Sequence, residues 1–214
     1  MYIKLGELNV TVKYFDNAAS SWPKPPTVIE AMKDAIVNTS ANPGRGSHRQ
    51  AVEASRILFE TRVKLAKMFR IPNPNEVDFA INTTSDLNLA IKGFLREREH
   101  VICTNIEHNS VRRPLEYLKQ TKQVDLTYLE CDLSGRISLE ALEKAITPRT
   151  RLLVINHSSN LLGNILPIEE MCSIAKSRGV ATLIDAAQTA GTIPIDVQKM
   201  NIDMLAFPGH KGLL

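Results

Sequence analysis

Ala181-Thr182-Leu183-Ile184-Asp185-Ala186-Ala187-Gln188 decides the fold: a short apolar run that ends on a carboxylate and directly follows an amphipathic stretch, Ile168–Ser177. A buried strand after a helix is half of a βα repeat, and the pattern recurs along the chain. The candidate strands Val77–Ile81, Val101–Thr104, Leu126–Leu129, Leu152–Asn156, Ala181–Asp185 and Met204–Phe207 alternate with helical stretches. The helix starts have readable chemistry. Ser85 is placed to cap the helix of Leu87–Ile91, and Ser138 to cap Leu139–Ile146 with Glu140 in its first turn. Pro167 suits the start of Ile168–Ser177, where Glu169 and Glu170 complement the dipole and Gly179 offers a stop. The expectation is an α/β fold with a largely parallel sheet.

Before the sheet the character changes. Pro23, Pro25 and Pro26 precede a helix near Val28–Val37, and the Pro/Gly loop Asn42–Ser47 leads to a long helix ending near Arg70. Residues 1–75 are expected to form an N-terminal arm with helices, and residues 76–214 the sheet domain. The chain is expected to be a fragment, because Lys211-Gly212-Leu213-Leu214 reads as a loop after a strand with no closing element.

With 214 residues, 43% of them hydrophobic, the chain can bury a sizeable core. A net charge of +3, with basic residues scattered among acidic ones, gives no nucleic-acid footprint. Met1–Phe15 lacks a signal-peptide core and no apolar run approaches membrane-span length, so a cytoplasmic location without a membrane partner is expected. Cys103, Cys131 and Cys172 stand far apart, which suggests neither a disulfide framework nor a zinc knot. The Asn-X-Ser/Thr triplets at Asn9, Asn38 and Asn82 read as loop and cap residues.

Polar residues gather where strands end. In open α/β sheets ligands sit outside the carboxyl ends of the strands, and Asp185 ends one of them. Taken alone it serves equally as a helix N-cap. Lys211, in Phe207-Pro208-Gly209-His210-Lys211-Gly212, reads alone as a solvated surface lysine. Together the two are what a pyridoxal phosphate site needs: a Schiff-base amine, and a buried carboxylate that keeps a pyridine nitrogen protonated. Asn82-Thr83-Thr84-Ser85 opens a helix, so amides and hydroxyls converge there either on a phosphate or on a plain cap. His108, in Glu107-His108-Asn109-Ser110, lies beyond the Val101–Thr104 strand, placed to stack on a ring or to sit as a loop histidine. Asn160, Gln188 and His210 complete the same rim, each with an ordinary surface or loop alternative. Cys103 with His108 lacks the further ligands a metal would require, so no metal is expected.

With these residues assembled, the chain resembles the cysteine desulfurases of the class V aminotransferase family, within the fold type I pyridoxal-phosphate enzymes. The resemblance runs from Tyr14-Phe15-Asp16-Asn17-Ala18-Ala19 through Arg45-Gly46-Ser47-His48, Thr83-Thr84, Glu107-His108-Asn109, Ser159-Asn160-Leu161-Leu162-Gly163 and Asp185-Ala186-Ala187-Gln188 to Gly209-His210-Lys211. It implies a three-layer α/β/α large domain with a mainly parallel, mixed sheet, truncated here, and pyridoxal 5'-phosphate as cofactor. By position it implies that Lys211 forms the Schiff base and Asp185 pairs the pyridine nitrogen. Gln188 and Asn160 would contact the hydroxyl side, and His108 would stack on the ring and assist proton transfer. Thr83, Thr84 and His210 would hold the phosphate, and Ala18, Ala19 and His48 would lie near the substrate.

The implied reaction converts L-cysteine to L-alanine and passes sulfur on as a persulfide to an acceptor protein, in a homodimer that serves iron–sulfur cluster assembly or related sulfur metabolism. Selenocysteine lysis, another class V reaction, or a non-catalytic interaction module are the alternatives. Three departures from the family stand out. Asn82 replaces a frequent glycine, and Pro208 replaces a hydroxyl-bearing phosphate ligand. The persulfide cysteine, the carboxylate-binding arginine and the small C-terminal domain of relatives lie beyond Lys211, so the fragment is expected to be inactive alone.

Overall fold

The computed structural model describes the backbone of residues 2–5, 8–11 and 13–214, and side chains from residue 13 onward. Two short strands, β1 (Tyr2–Leu5) and β2 (Leu8–Thr11), pair antiparallel. Asn9 therefore lies in a strand and not in a loop or cap. Met1, Gly6, Glu7 and Val12 lie outside the described residues, so the expected reading of Met1–Phe15 is described only in part.

Helix α1 (Pro26–Asn38) begins with proline in its first turn, where a missing N–H costs nothing, and ends on Asn38. Helix α2 (Arg49–Phe69) is capped by His48 and stops at Arg70, whose positive φ of 60° ends the helical path. Ala51, Ala54, Ala66 and Phe69 form its buried stripe.

The expected strand Val77–Ile81 does not form. A 3-10 turn, Pro74–Glu76, leads instead through extended chain to α3 (Thr83–Phe94). Its apolar residues satisfy strand propensity, yet propensity acts only where a neighbour supplies ladder bonds and a face to pack on. Phe79 is 46% exposed and Ile81 94% exposed, and among the described residues the segment joins no sheet. The cap of α3 also differs from expectation: Asn82 Oδ1 accepts from the Ser85 amide at 2.9 Å, so Ser85 sits in the first turn.

The remaining elements follow the expected alternation: β3 (His100–Thr104), α4 (Asn109–Lys122), β4 (Asp125–Leu129), α5 (Leu139–Ala145), β5 (Thr150–Asn156), α6 (Ile168–Ser177), β6 (Ala181–Asp185) and β7 (Met204–Ala206). Ser138 caps α5 as expected, accepting from the Ala141 amide at 3.2 Å. The five sheet strands lie in the order β4-β3-β5-β6-β7, and every pairing is parallel. The antiparallel pairing among the described strands is that of β1 with β2.

Three layers result because successive strand residues point to opposite faces. Ile102, Leu153, Ile155 and Ile184 face one core with Met171, Ala175 and Phe69, under α5, α6 and the end of α2. Val101, Cys103, Leu152, Val154 and Leu183 face the other with Leu87, Ile91, Val111 and Leu115, under α3 and α4. Strands covered on both sides need apolar residues at every position, which is why these runs carry little polar alternation. The strand order reverses between β3 and β5, which opens a crevice at their carboxyl ends.

Candidate active site

A cavity of about 450 Å³ lies at that crevice, within the range of small-ligand sites. Its wall includes Thr83 and Thr84 from the start of α3, His108 from the β3–α4 loop, Asn160 after β5, Asp185 and Gln188 after β6, and His210 and Lys211 after β7. Ala18 and Ala19, from the chain before α1, also line it. Chain segments far apart in sequence thus deliver their polar groups to one rim. His48 is not among the lining residues: it caps α2, its Nδ1 accepting from the Ala51 amide at 3.4 Å.

Asp185 is buried at the floor, where its Oδ1 accepts from the Ala187 amide at 3.0 Å. Burial pushes its carboxyl above the usual range, while the Ala187 amide and the charge of Lys211 pull it down. A cationic partner inside the cavity would stabilise the ionised form. The N-cap reading of Asp185 does not hold, since a turn and not a helix follows β6; the Ala187 bond closes that turn and uses one oxygen.

His108 is the N-cap of α4 and not a free loop residue. Its Nδ1 accepts from the Ser110 amide at 3.1 Å and lies 2.7 Å from the Ser110 hydroxyl. A ring nitrogen that accepts from an amide carries no proton, so neutral His108 holds its proton on Nε2. The start of α3 gathers amides at its positive end, and Thr83 Oγ1 is buried there without a partner. A buried hydroxyl left unsatisfied on a cavity wall marks a place for a polar ligand group. Pro208 is buried in the wall and, lacking an N–H, leaves donation on that side to neighbouring groups.

The loop carrying Lys211 is fixed from two sides. The His210 carbonyl accepts from the Ser21 amide at 3.3 Å, the Ser21 hydroxyl at 3.1 Å and Lys24 Nζ at 3.0 Å. Lys24 is itself held, donating to Ser21 Oγ at 2.6 Å. On the other side Gly212 packs against the turn after β6, backbone against backbone, at Ala190 and Gly191. Gln188 ties the arm to the same floor, its Nε2 donating to the Ala18 carbonyl at 3.3 Å.

Asp16, Ser110, Asn156 and Ser158 also line the cavity, although the sequence reading gave them no role. Asn156 was accessible to sequence reasoning as the last polar residue of an apolar strand; the others depend on how loops fold back. Cys103 is fully buried, and burial raises its thiol far above the ordinary value, so it behaves as a small hydrophobe.

The model of the aminotransferase class-V family matches residues 13–214. A probable cysteine desulfurase of Methanothermobacter thermautotrophicus is 36% identical over 202 residues, covering 94% of this chain and 50% of the relative. Among solved structures, the apo cysteine desulfurase of Thermococcus onnurineus superimposes with a TM-score of 0.86 at 35% identity, covering 93% of this chain and 50% of that one. SspA in complex with cysteine gives a TM-score of 0.87 at 38% identity, covering 94% and 58%. The chain spans about half the length of the curated relatives it matches.

Proposed function

This chain belongs to the class-V aminotransferase family, and from that premise we propose that the whole protein is a pyridoxal 5'-phosphate-dependent cysteine desulfurase that takes sulfur from L-cysteine and leaves L-alanine. The observation that carries the reading is that Lys211 and the buried carboxyl of Asp185 line one cavity at the carboxyl ends of the strands.

The residues present fit the cofactor on their own chemistry. Lys211 supplies the amine that would hold it, and Asp185 a buried carboxyl that would keep a proton on the ring nitrogen through a charge-assisted bond. The unpartnered Thr83 hydroxyl, Thr84 and the amides opening α3 suit its phosphate, with His210 beside them. Asn160 and Gln188 face its hydroxyl side in this reading. When bound, the cofactor supplies an aromatic ring that accepts the electrons left behind when a substrate loses its α-proton.

The chain's own groups do the rest. Lys211, with one amine on a loop anchored at His210 and Gly212, is placed to take the α-proton of an amino acid. His108 presents an Nε2–H to the cavity and stacks or donates according to the ligand. Ala18 and Ala19 keep that side of the cavity small. His48 is proposed at the substrate side on the resemblance alone, since here it caps α2 away from the lining.

We further propose residues 1–75 as an arm and residues 76–214 as the cofactor-binding body. A homodimer, a sulfur-acceptor protein and a cytoplasmic location complete the reading; among the described residues no helix is long and apolar enough to cross a membrane. The test is alanine formation from L-cysteine by the full-length gene product. The expected result is alanine release that requires pyridoxal phosphate and is lost on Lys211→Ala, while residues 1–214 alone release none. A full-length product that binds the cofactor but forms no alanine would contradict the assignment.

A further inference from the structure

Glu107 precedes the histidine of the site, lines no part of the cavity, and is almost completely buried. Its Oε1 accepts from the Thr104 hydroxyl at 2.6 Å and from the Asn156 amide at 2.9 Å. One bond closes the turn that leaves β3; the other crosses to the end of β5. The crevice of the site opens between these two strands. The Asn156 side chain returns the link, its Nδ2 donating to the Ile106 carbonyl at 2.9 Å. On the opposite flank Asn105 is tied to the end of β4 through the Leu129 carbonyl, the Cys131 amide and Glu130. The five residues from Thr104 to His108 are therefore stitched to both neighbouring strands, and Glu107 is the fastener on the cavity side.

We propose that Glu107 is a positioning residue of this site, fixing the β3–α4 loop to the end of β5 so that His108 and Asn156 face the cavity in one arrangement. Its significance for catalysis rests on the reading of His108 as the neighbour of the cofactor ring.

Two further observations fit. Glu107 Oε2 and Asn156 Oδ1 are both buried and both without a partner. A buried carboxylate with one bare oxygen is costly as an anion, whereas the acid carrying its proton on Oε2 is uncharged. Burial, with the nearby Asp185 charge adding to it, pushes the Glu107 carboxyl up to about 8 against the pull of its Thr104 and Asn156 bonds. The neutral acid that results is imitated by glutamine and not by a shorter or apolar side chain.

The test reads the His108 ring by nitrogen–proton correlation spectra of histidine-labelled chain without added cofactor, in which an amide bond to Nδ1 appears as a single tautomer protonated on Nε2. Glu107→Gln is expected to keep those shifts. Glu107→Ala, and Glu107→Asp with its carboxyl drawn back by one methylene, are expected to move the two ring-nitrogen shifts toward each other as the tautomers average. If Glu107→Ala does not fold, the Gln and Asp variants decide. Wild-type shifts in the Asp or Ala variant, or loss of them in the Gln variant, would overturn the proposal. Borohydride labelling of Lys211 with pyridoxal phosphate is measured in parallel. Undiminished labelling alongside a disturbed His108 would leave Glu107 as the positioning residue and remove His108 from the cofactor.

Discussion

Gly191 and Gly212 meet so closely that a Cβ on Gly191 would lie 2.3 Å from the Gly212 carbonyl oxygen, and a Cβ on Gly212 would lie 2.2 Å from the carbonyl oxygen of Ala190. Backbone cannot yield as the end of a side chain does, and Gly191 has in addition a φ of +85°, which L side chains resist. The contact seats the residue after Lys211 directly on the turn that follows Asp185. The two residues that define the site are thus set against each other by two glycines.

Gly191→Ala should therefore displace the Lys211 loop. The expected cost is about 1–3 kcal/mol of overpacking with backbone strain added. Thermal unfolding should register that cost, and pyridoxal phosphate should be captured more weakly at Lys211. Gly209→Ala is the control, since nothing lies within 4 Å of the added carbon. Equal behaviour of the two variants would show that the close approach does not matter.

Lys24 should act from the opposite side. Its ammonium donates to the His210 carbonyl at 3.0 Å, a charge-assisted bond. Lys24→Met should lower overall stability by about 1 kcal/mol while raising amide exchange in residues 209–212, measured by hydrogen–deuterium exchange mass spectrometry. Unchanged exchange in that segment would count against the arm as an anchor.

Glu107 gives stability a definite pH slope. Its folded value of about 8 stands above the ordinary 4.5, so between those limits the native state holds more protons than the unfolded one. Stability should fall as pH rises through this window, at up to about 1.4 kcal/mol per pH unit from this one group. Glu107→Gln should flatten the slope in denaturant titrations at pH 5, 6, 7 and 8. An unaltered slope would mean that the carboxyl is ionised throughout.

His100 should work in the contrary sense, at the other end of the sheet. Its Nδ1 lies 2.7 Å from the Thr150 hydroxyl and its Nε2 2.8 Å from the Thr127 hydroxyl. Burial lowers it below 6.5, Asp125 opposing and Arg149 assisting. The unfolded chain then takes up the proton first, so this contribution is present above pH 6.5 and lost as pH falls through the folded value. His100→Ala should cost about 1–3 kcal/mol at neutral pH, because two hydroxyls lose their partner. A cost that does not shrink on acidification would argue against the buried neutral ring.

What the sequence made legible was whatever depends on local pattern. The strand Ala181–Asp185 matches its expected bounds because both faces are buried and its limits are chemical: a glycine shortly before it and a carboxylate as its last residue. Val77–Ile81 shows the limit of the same rule, since its residues suit a strand but the described residues offer it no ladder. The polar rim was legible residue by residue through Asp185, Lys211 and His108, each at or just beyond a strand end, and through Thr83 at a helix start. Glu107, Ser21 and Lys24 were not, because their importance lies in bonds to residues 49, 189 and 186 positions away. Gly191 and Gly212 were equally silent, since a close approach of two backbones leaves no trace in composition.

The most direct test of the account is borohydride reduction of the protein with pyridoxal phosphate, followed by peptide mapping. A single stable pyridoxyl label on Lys211, weakened by Asp185→Ala and absent in Lys211→Ala, is the predicted result. An unlabelled Lys211, or a label spread over surface lysines, would contradict the central claim that this cavity is a cofactor site.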